Sequence, residues 1–124
     1  MKLEPLIYVS NILDSIYFYR DLLGFKLGEL FPDRERPTYA PIFIGDSKLM
    51  LSQARDVNKP LHQDKLGGSG TQMYVRVDNV DAEYERLKGQ VNFVQEIETK
   101  AWGDREFTFS DPDGYLISFY TPNE

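Results

Sequence analysis

The chain has 124 residues, a formal net charge of −6, no Cys, and a hydrophobic fraction of 41% that includes eight Tyr and eight Phe. This composition indicates a folded core, and the negative charge argues against nucleic acid, whose phosphates attract Lys and Arg. The lack of Cys removes disulfides, thiolate metal sites and cysteine nucleophiles. No apolar run approaches the ~20 residues of a membrane span and residues 1–5 do not form a signal peptide, so we expect a cytoplasmic location.

The first half of the chain has the pattern of a strand, a helix and three further strands. Alternation of apolar residues predicts a strand over Leu3–Val9. Asn11 is placed to cap a helix that ends before Gly24. The further strands are predicted at residues 25–31, 39–44 and 49–53, with a turn near Gly45-Asp46.

Residues 55–70 break this pattern. They are polar, contain the chain's single His, His62, and end in Gly67-Gly68-Ser69-Gly70. A phosphate-binding loop is disfavoured because no Lys-Ser/Thr follows the glycines and no helix begins there. We interpret the segment as a linker.

The second half repeats the first. A strand is predicted over Gln72–Val77, Asn79 is placed to cap a helix, and Gly89 ends that helix. Strands are then predicted at residues 93–98, 106–110 and 116–120. With an offset of 68 residues, Asn11 meets Asn79 and Val9 meets Val77.

This offset predicts a tandem repeat of a βαβββ unit within one α+β domain, with repeat one at 1–54, the linker at 55–70 and repeat two at 71–124. Each unit has one sheet face covered by its helix and one bare face, so we expect the two units to pair around a cleft, giving a cupped mixed sheet. By alternation the bare face carries Glu4, Leu6, Tyr8, Lys48, Met50, Ser52, Gln72, Tyr74, Arg76, Leu116, Ser118 and Tyr120.

Two segments resemble the vicinal oxygen chelate superfamily, which includes glyoxalase I, extradiol dioxygenases, fosfomycin resistance enzymes and bleomycin resistance proteins. They are Phe18–Phe25 in the first helix and Asp111-Pro112-Asp113-Gly114 before the last strand. The nearest resemblance is to bleomycin resistance proteins, through the acidic balance and the segment Trp102–Phe107, which has one extra residue here. The resemblance implies a homodimer, in which elements are often exchanged between chains.

In metal-dependent members of that superfamily, His or Glu occupies four points that fall here on Glu4, Met50, Gln72 and Ser118. Glu4 is a suitable ligand, but an amide carbonyl, a thioether and a hydroxyl are poor ligands for a catalytic zinc or iron ion. We therefore expect no metal, no cofactor and no catalytic residue of the metal-dependent type.

Several candidates remain open between functional and structural roles. Trp102 is either a stacking platform for a planar ligand or a lid over the sheet edge. Arg76 and Glu4 either form an ion pair with each other or meet a charged substrate. The charges at 104–106 are interpreted as a solvated loop, and the residues at 111–114 as a turn rather than a calcium loop. The predicted ligand-binding residues are Glu4, Leu6, Tyr8, Met50, Gln72, Tyr74, Arg76, Trp102, Ser118 and Tyr120.

The sequence thus predicts a homodimeric protein that binds and sequesters a small planar or cationic molecule without metal, of the bleomycin-resistance type. One alternative is a metal-dependent lyase or dioxygenase with a degenerate site, in which Glu4 and Gln72 are remnant ligands. Another is an enzyme of this fold that works without metal and uses Glu4 or a Tyr as its base.

Overall fold

A computed structural model describes residues 1–55 and 70–122 and confirms the α+β class. Its contacts divide the chain into two compact units, Met1–Leu61 and His62–Glu124. The predicted linker lies almost wholly outside the described residues, as do His62 and the first three residues of the Gly67–Gly70 run.

The first unit contains a four-stranded sheet and one helical element. The elements are β1 (Leu6–Val9), α1 (Ile12–Ile16) continuing in π-helical form over Tyr17–Leu22, β2 (Lys26–Leu27), β3 (Tyr39–Ile44) and β4 (Ser47–Gln53). The strand order is β1-β4-β3-β2, with β1 parallel to β4 and the other pairs antiparallel.

The second unit repeats this arrangement, with a longer first and second strand. Its elements are β5 (Gln72–Arg76), α2 (Val80–Leu87), β6 (Asn92–Thr99), β7 (Arg105–Ser110) and β8 (Leu116–Thr121). The order is β5-β8-β7-β6, with β5 parallel to β8 and antiparallel pairing elsewhere. The predicted closing hairpin is therefore confirmed as β7 and β8.

The repeat extends to the strand register. Ile7 lies opposite Leu51 in the first sheet, and Val75 lies opposite Phe119 in the second. Both pairs are separated by 44 residues in the sequence (7 to 51 and 75 to 119). Because register decides which side chains share a face, equivalent positions of the two units face equivalent sides of their sheets.

Asparagine caps begin both helices, as predicted. Asn11 accepts the backbone N–H groups of Leu13 at 3.1 Å and Asp14 at 3.2 Å, and Asn79 accepts that of Ala82 at 3.1 Å. These bonds satisfy donors that the first helical turn leaves without an intrahelical partner.

Two strands are shorter than the sequence prediction by three or more residues, both beside prolines. The first strand begins at Leu6 rather than Leu3, although the Pro5 carbonyl still accepts the Met50 N–H at 2.9 Å. The strand predicted over 25–31 is only two residues long. The Pro41 carbonyl accepts the Gly28 N–H at 2.9 Å, but Pro41 has no N–H to donate back, so the ladder loses a bond there.

The helix-covered face of the second sheet is an aromatic core. Phe107, Phe109 and Phe119 are fully buried, with ring centroids 5.3 to 5.8 Å apart. From α2, Tyr84 places its ring 5.2 Å from that of Phe107, and Leu87 is also buried. This core fixes β7 and β8 so that their alternate residues point to the other face of the sheet.

Among residues 1–55 and 70–122, no helix is long and apolar enough to cross a membrane.

Candidate functional site

The helix-free face of the second sheet carries mostly polar side chains, arranged in cross-strand rows. The pairing register places three rows on this face: Gln72, Leu116, Ser110 and Asn92; Tyr74, Ser118, Thr108 and Gln95; and Arg76, Tyr120, Glu106 and Glu98. Five of the predicted ligand-binding residues, together with Leu116, thus share one face with residues that the prediction did not name. The five are Gln72, Tyr74, Arg76, Ser118 and Tyr120.

Gln72 and Ser118, two of the points suggested by the resemblance, are bonded to each other. Gln72 Nε2 donates to Ser118 Oγ at 2.7 Å, and Ser118 Oγ shares a second hydrogen bond of 2.6 Å with Thr108 Oγ1. Ser118 is fully buried, with 0% of its surface exposed. Its hydroxyl is therefore engaged in a side-chain network within the sheet.

The other two points lie in the first unit. Glu4 precedes β1, and its carboxylate lies 4.0 Å from the Lys48 ammonium. Met50, on β4 opposite Leu6, is half-buried and offers only a thioether. No group of three or more His, Cys, Asp or Glu within the described ranges is placed to hold a metal ion. The donor set does not fit a catalytic zinc or iron ion, which needs three or four strong ligands.

Tyr74 and Tyr120 form an aromatic pair on the same face. Their ring centroids are 5.8 Å apart, with an interplanar angle of 69°, which is an edge-to-face contact. Tyr74 remains 55% exposed. Partial burial raises the pKa of its hydroxyl, and the hydrogen bond to the Glu106 carboxylate raises it further, so Tyr74 is a neutral hydrogen-bond donor.

Glu106 corrects the interpretation of residues 104–106 as a solvated loop. Arg105 and Glu106 belong to β7, and only 2% of the Glu106 surface is exposed. The signal that predicts its placement is alternation: Phe107 and Phe109 face the helix, so Glu106 and Thr108 face the opposite side. Arg105 instead reaches the helix, with its guanidinium 2.9 Å from the Asp81 carboxylate.

Lys100 adds a positive charge near the Glu106 carboxylate. Its ammonium donates to Gln95 Oε1 at 2.9 Å and to Glu98 Oε1 at 2.6 Å. The bond to Glu98 is the main reason that the pKa of Lys100 is raised, with smaller contributions from the Glu98 and Glu106 charges. Gln95 Nε2 is buried without a hydrogen-bond partner in the part of the chain that the structure describes.

Trp102 lies in the turn that joins β6 to β7. The turn is closed by the Lys100 N–H, which donates to the Asp104 carbonyl at 2.7 Å, and Gly103 adopts a φ of 101°, which favours glycine. The indole is 66% exposed. This exposure offers indole surface for stacking.

Three of the predicted residues lie on the first strand of their own unit, β1 or β5. Leu6 and Tyr8 are exposed on the helix-free face of the first sheet, and Arg76 is exposed on β5. The Asp111–Gly114 segment is a turn, as predicted. Asp111 Oδ1 accepts the N–H groups of Asp113 and Tyr115, both at 2.9 Å.

Comparison with known proteins identifies the family to which this architecture belongs. The model of the Glyoxalase/Bleomycin resistance protein/Dioxygenase superfamily matches residues 3–119. A bleomycin resistance protein of Geobacillus stearothermophilus is 26% identical over 127 residues, covering 94% of this chain and 92% of that protein. An uncharacterized protein of Mycobacterium bovis is 28% identical over 127 residues, covering 97% and 82%.

Solved structures show the same fold. TioX from Micromonospora sp. ML1 superposes with a TM-score of 0.79 at 21% identity, covering 98% of each chain. A protein of unknown function from Agrobacterium tumefaciens superposes with a TM-score of 0.76 at 28% identity, covering 98% of this chain and 94% of that one. With the repeated βαβββ units and the family match over nearly its whole length, the chain belongs to the Glyoxalase/Bleomycin resistance protein/Dioxygenase superfamily.

Proposed function

We propose that this protein binds and sequesters a small planar or cationic molecule without a metal ion and without turnover. The observation that carries the proposal is the bond between Gln72 and Ser118, with Thr108 as the second partner of the serine. Two of the four points that hold metal ligands in metal-dependent relatives are thus occupied by neutral side chains that satisfy each other. Adding an ion there would break bonds that the sheet already makes.

Aromatic surface supports the binding part of the proposal. Tyr74 and Tyr120 form an edge-to-face pair, and Trp102 is exposed at the turn after β6. Large rigid rings supply contact area at a low cost in conformational entropy, which suits a planar ligand. The net charge of −6 favours a cationic over an anionic molecule.

The named relatives support the same role. The bleomycin resistance protein of Geobacillus stearothermophilus covers 94% of this chain, so its name applies to a protein of matching extent. Carried to this chain, that name indicates protection by binding of a small toxic molecule. The homodimer implied by the resemblance and the cytoplasmic location expected from the sequence are part of the same proposal.

A thermal-shift screen tests the proposal, because binding to the native state raises the melting temperature by mass action. The screen combines a panel of planar cationic drugs, bleomycin among them, with and without divalent metals. We expect stabilisation by at least one drug that persists in the presence of a chelator. Mass spectrometry of the ligand recovered after prolonged incubation should show an unchanged molecule.

Metal analysis of protein purified without chelator is the measurement that can contradict the proposal. A stoichiometric divalent ion that is lost in both Glu4→Gln and Gln72→Ala would overturn the proposal in favour of the metal-dependent alternative. Chemical conversion of a bound drug by metal-free protein would overturn it in favour of an enzyme.

Trp102→Ala should weaken drug binding about fivefold to tenfold and leave the melting temperature of the free protein unchanged, because the exposed indole contributes stacking area and little core packing. Tyr17→Ala is a matched control, since Tyr17 is an exposed aromatic residue on the π-helical segment of the first unit. If Trp102→Ala and Tyr17→Ala both bind the drug as tightly as the parent does, Trp102 does not stack on the ligand.

A further inference from the structure

We propose that Tyr74 and Tyr120, backed by the buried carboxylate of Glu106, form a recognition surface for a cationic group, such as a protonated aromatic amine or an alkylammonium. This inference rests on the proposed function and names the chemical class held at the helix-free face of the second sheet. It is carried by three features of the described residues: the burial of Glu106, the balance of charge around it, and the geometry of the tyrosine pair.

Glu106 is a fixed negative charge within the sheet face. Only 2% of its surface is exposed, and the register places it opposite Tyr120 on one side and Glu98 on the other. A carboxylate removed from water carries a desolvation cost, so a cationic partner placed beside it is favoured. Salt screens the electric field of a buried charge less than that of a surface charge. Glu106 therefore acts on a charged group that binds at this face of the sheet.

The ammonium group near Glu106 is shared with a second carboxylate. Lys100 is shared, because its ammonium is hydrogen-bonded to Glu98 at 2.6 Å and also interacts with the charge of Glu106. One ammonium therefore faces two carboxylates. Arg76 lies in the same row on β5, two strands away from Glu106, with Tyr120 between them.

The tyrosine pair presents electron-rich rings above this charge. Burial raises the pKa of the Tyr74 hydroxyl, and its interaction with the Glu106 carboxylate raises it further, so the phenol stays neutral beside this charge. Tyr74 is 55% exposed, and its edge-to-face contact with Tyr120 leaves ring surface open to a ligand. A cation over the face of such a ring is attracted by its quadrupole, and a nearby carboxylate strengthens the attraction.

The test compares two dyes with the same tricyclic ring at mildly alkaline pH: 9-aminoacridine, which is a cation, and acridine, which is neutral. Dissociation constants are measured by fluorescence titration for the parent, Glu106→Gln and Tyr74→Leu. Glu85→Gln is the control, because Glu85 is exposed on α2 and the substitution makes the same change in net charge. Melting curves confirm that each variant is folded.

We expect the parent to bind the cation about tenfold more tightly than the neutral dye, with a preference that weakens as salt is added. Glu106→Gln should lose most of that preference and retain its affinity for acridine. Tyr74→Leu, which alters an exposed side chain, should lose affinity for the cation, and Glu85→Gln should behave like the parent.

Equal affinity of the parent for the two dyes, or a preference that survives both Glu106→Gln and Tyr74→Leu, overturns the cation surface. The proposed function is then still supported by any neutral planar ligand that stabilises the protein in the thermal-shift screen. If no member of the drug panel binds, the proposed function itself fails.

Discussion

Ser118 shows how one residue links the fold to the chemistry of the face. It lies on β8 between Tyr74 on β5 and Thr108 on β7, with no exposed surface. Its hydroxyl makes two short hydrogen bonds, to Gln72 and Thr108. The residue that a metal-dependent relative would use as a ligand is here a connector of three strands.

Ser118→Ala should lower the free energy of unfolding by about 1–3 kcal/mol, because it leaves Gln72 and Thr108 without their shared partner in a buried position. Denaturant unfolding measures the change. Ser47→Ala, at the exposed start of β4, is the control and should be nearly neutral. Equal effects of the two substitutions would show that the network contributes nothing to stability.

Tyr74 provides a pH-dependent observable at the same scale. Its pKa is raised by burial and by the Glu106 carboxylate, so the folded protein holds the phenolic proton more tightly than the unfolded chain does. The stability from this difference is present below the ordinary tyrosine pKa and is lost as the pH rises through the raised value. Ultraviolet titration curves of the parent and of Tyr74→Phe should differ by the late ionisation of Tyr74.

Glu106→Gln should lower the Tyr74 pKa towards its ordinary value without abolishing the shift, because burial is the largest cause. The difference between the titration curves of Glu106→Gln and the parent isolates the contribution of the carboxylate. If the Tyr74 contribution to the curve is the same in Glu106→Gln and in the parent, Glu106 does not act on Tyr74.

At the scale of elements, each helix is attached to the end of its sheet by an equivalent side chain. Gln53, near the end of β4, accepts the Ile12 N–H at 2.9 Å and donates to the Ser10 carbonyl at 2.7 Å. Thr121, 68 positions later, accepts the Val80 N–H at 3.1 Å and donates to the Val77 carbonyl at 3.0 Å. The same task is performed by an amide in one unit and a hydroxyl in the other.

Gln53→Ala and Thr121→Val should each destabilise the protein by about 1–3 kcal/mol, because each leaves a helix N–H and a strand-end carbonyl without their side-chain partner. Thermal unfolding of the two variants and of Gln90→Ala, a surface amide just after α2, measures this difference. Stability equal to that of Gln90→Ala would mean that water replaces these bonds without cost.

At the scale of the whole molecule, two units of the same topology each have one sheet face covered by a helix and one helix-free face. In the first unit the helix-free face exposes apolar side chains, including Leu6, Tyr8 and Phe43. Exposed apolar surface of this kind is typical of a surface that is covered in an assembly. The pairing of the two faces around a cleft stays a prediction of the sequence.

The proposed homodimer predicts a sedimentation mass of twice the 14.4 kDa of one chain at micromolar concentration. Tyr8→Glu, which places a charge on the exposed face of the first sheet, should shift the mass towards that of a single chain. Lys2→Glu, at the exposed start of the chain, is the control. A single-chain mass for the parent at all concentrations would contradict the dimer.

The sequence by itself determined the features that depend on neighbours a few residues apart. The asparagine caps, the turn at Asp111 and the alternation of β7 and β8 follow from local hydrogen bonding and side-chain geometry. The repeat at 68 residues then fixed the topology, because two copies of one pattern fold to the same register.

Only the tertiary structure decided the features that join distant segments. The bond between Gln72 and Ser118 spans 46 residues, and the Gln53 contact with Ile12 spans 41. The burial of Glu106 likewise depends on what neighbouring strands place around it, whereas its local sequence of charges is typical of a solvated loop. The alternation of residues along a strand predicts the sheet face on which a side chain lies. The packing of distant segments determines whether that side chain is buried and which partners it contacts.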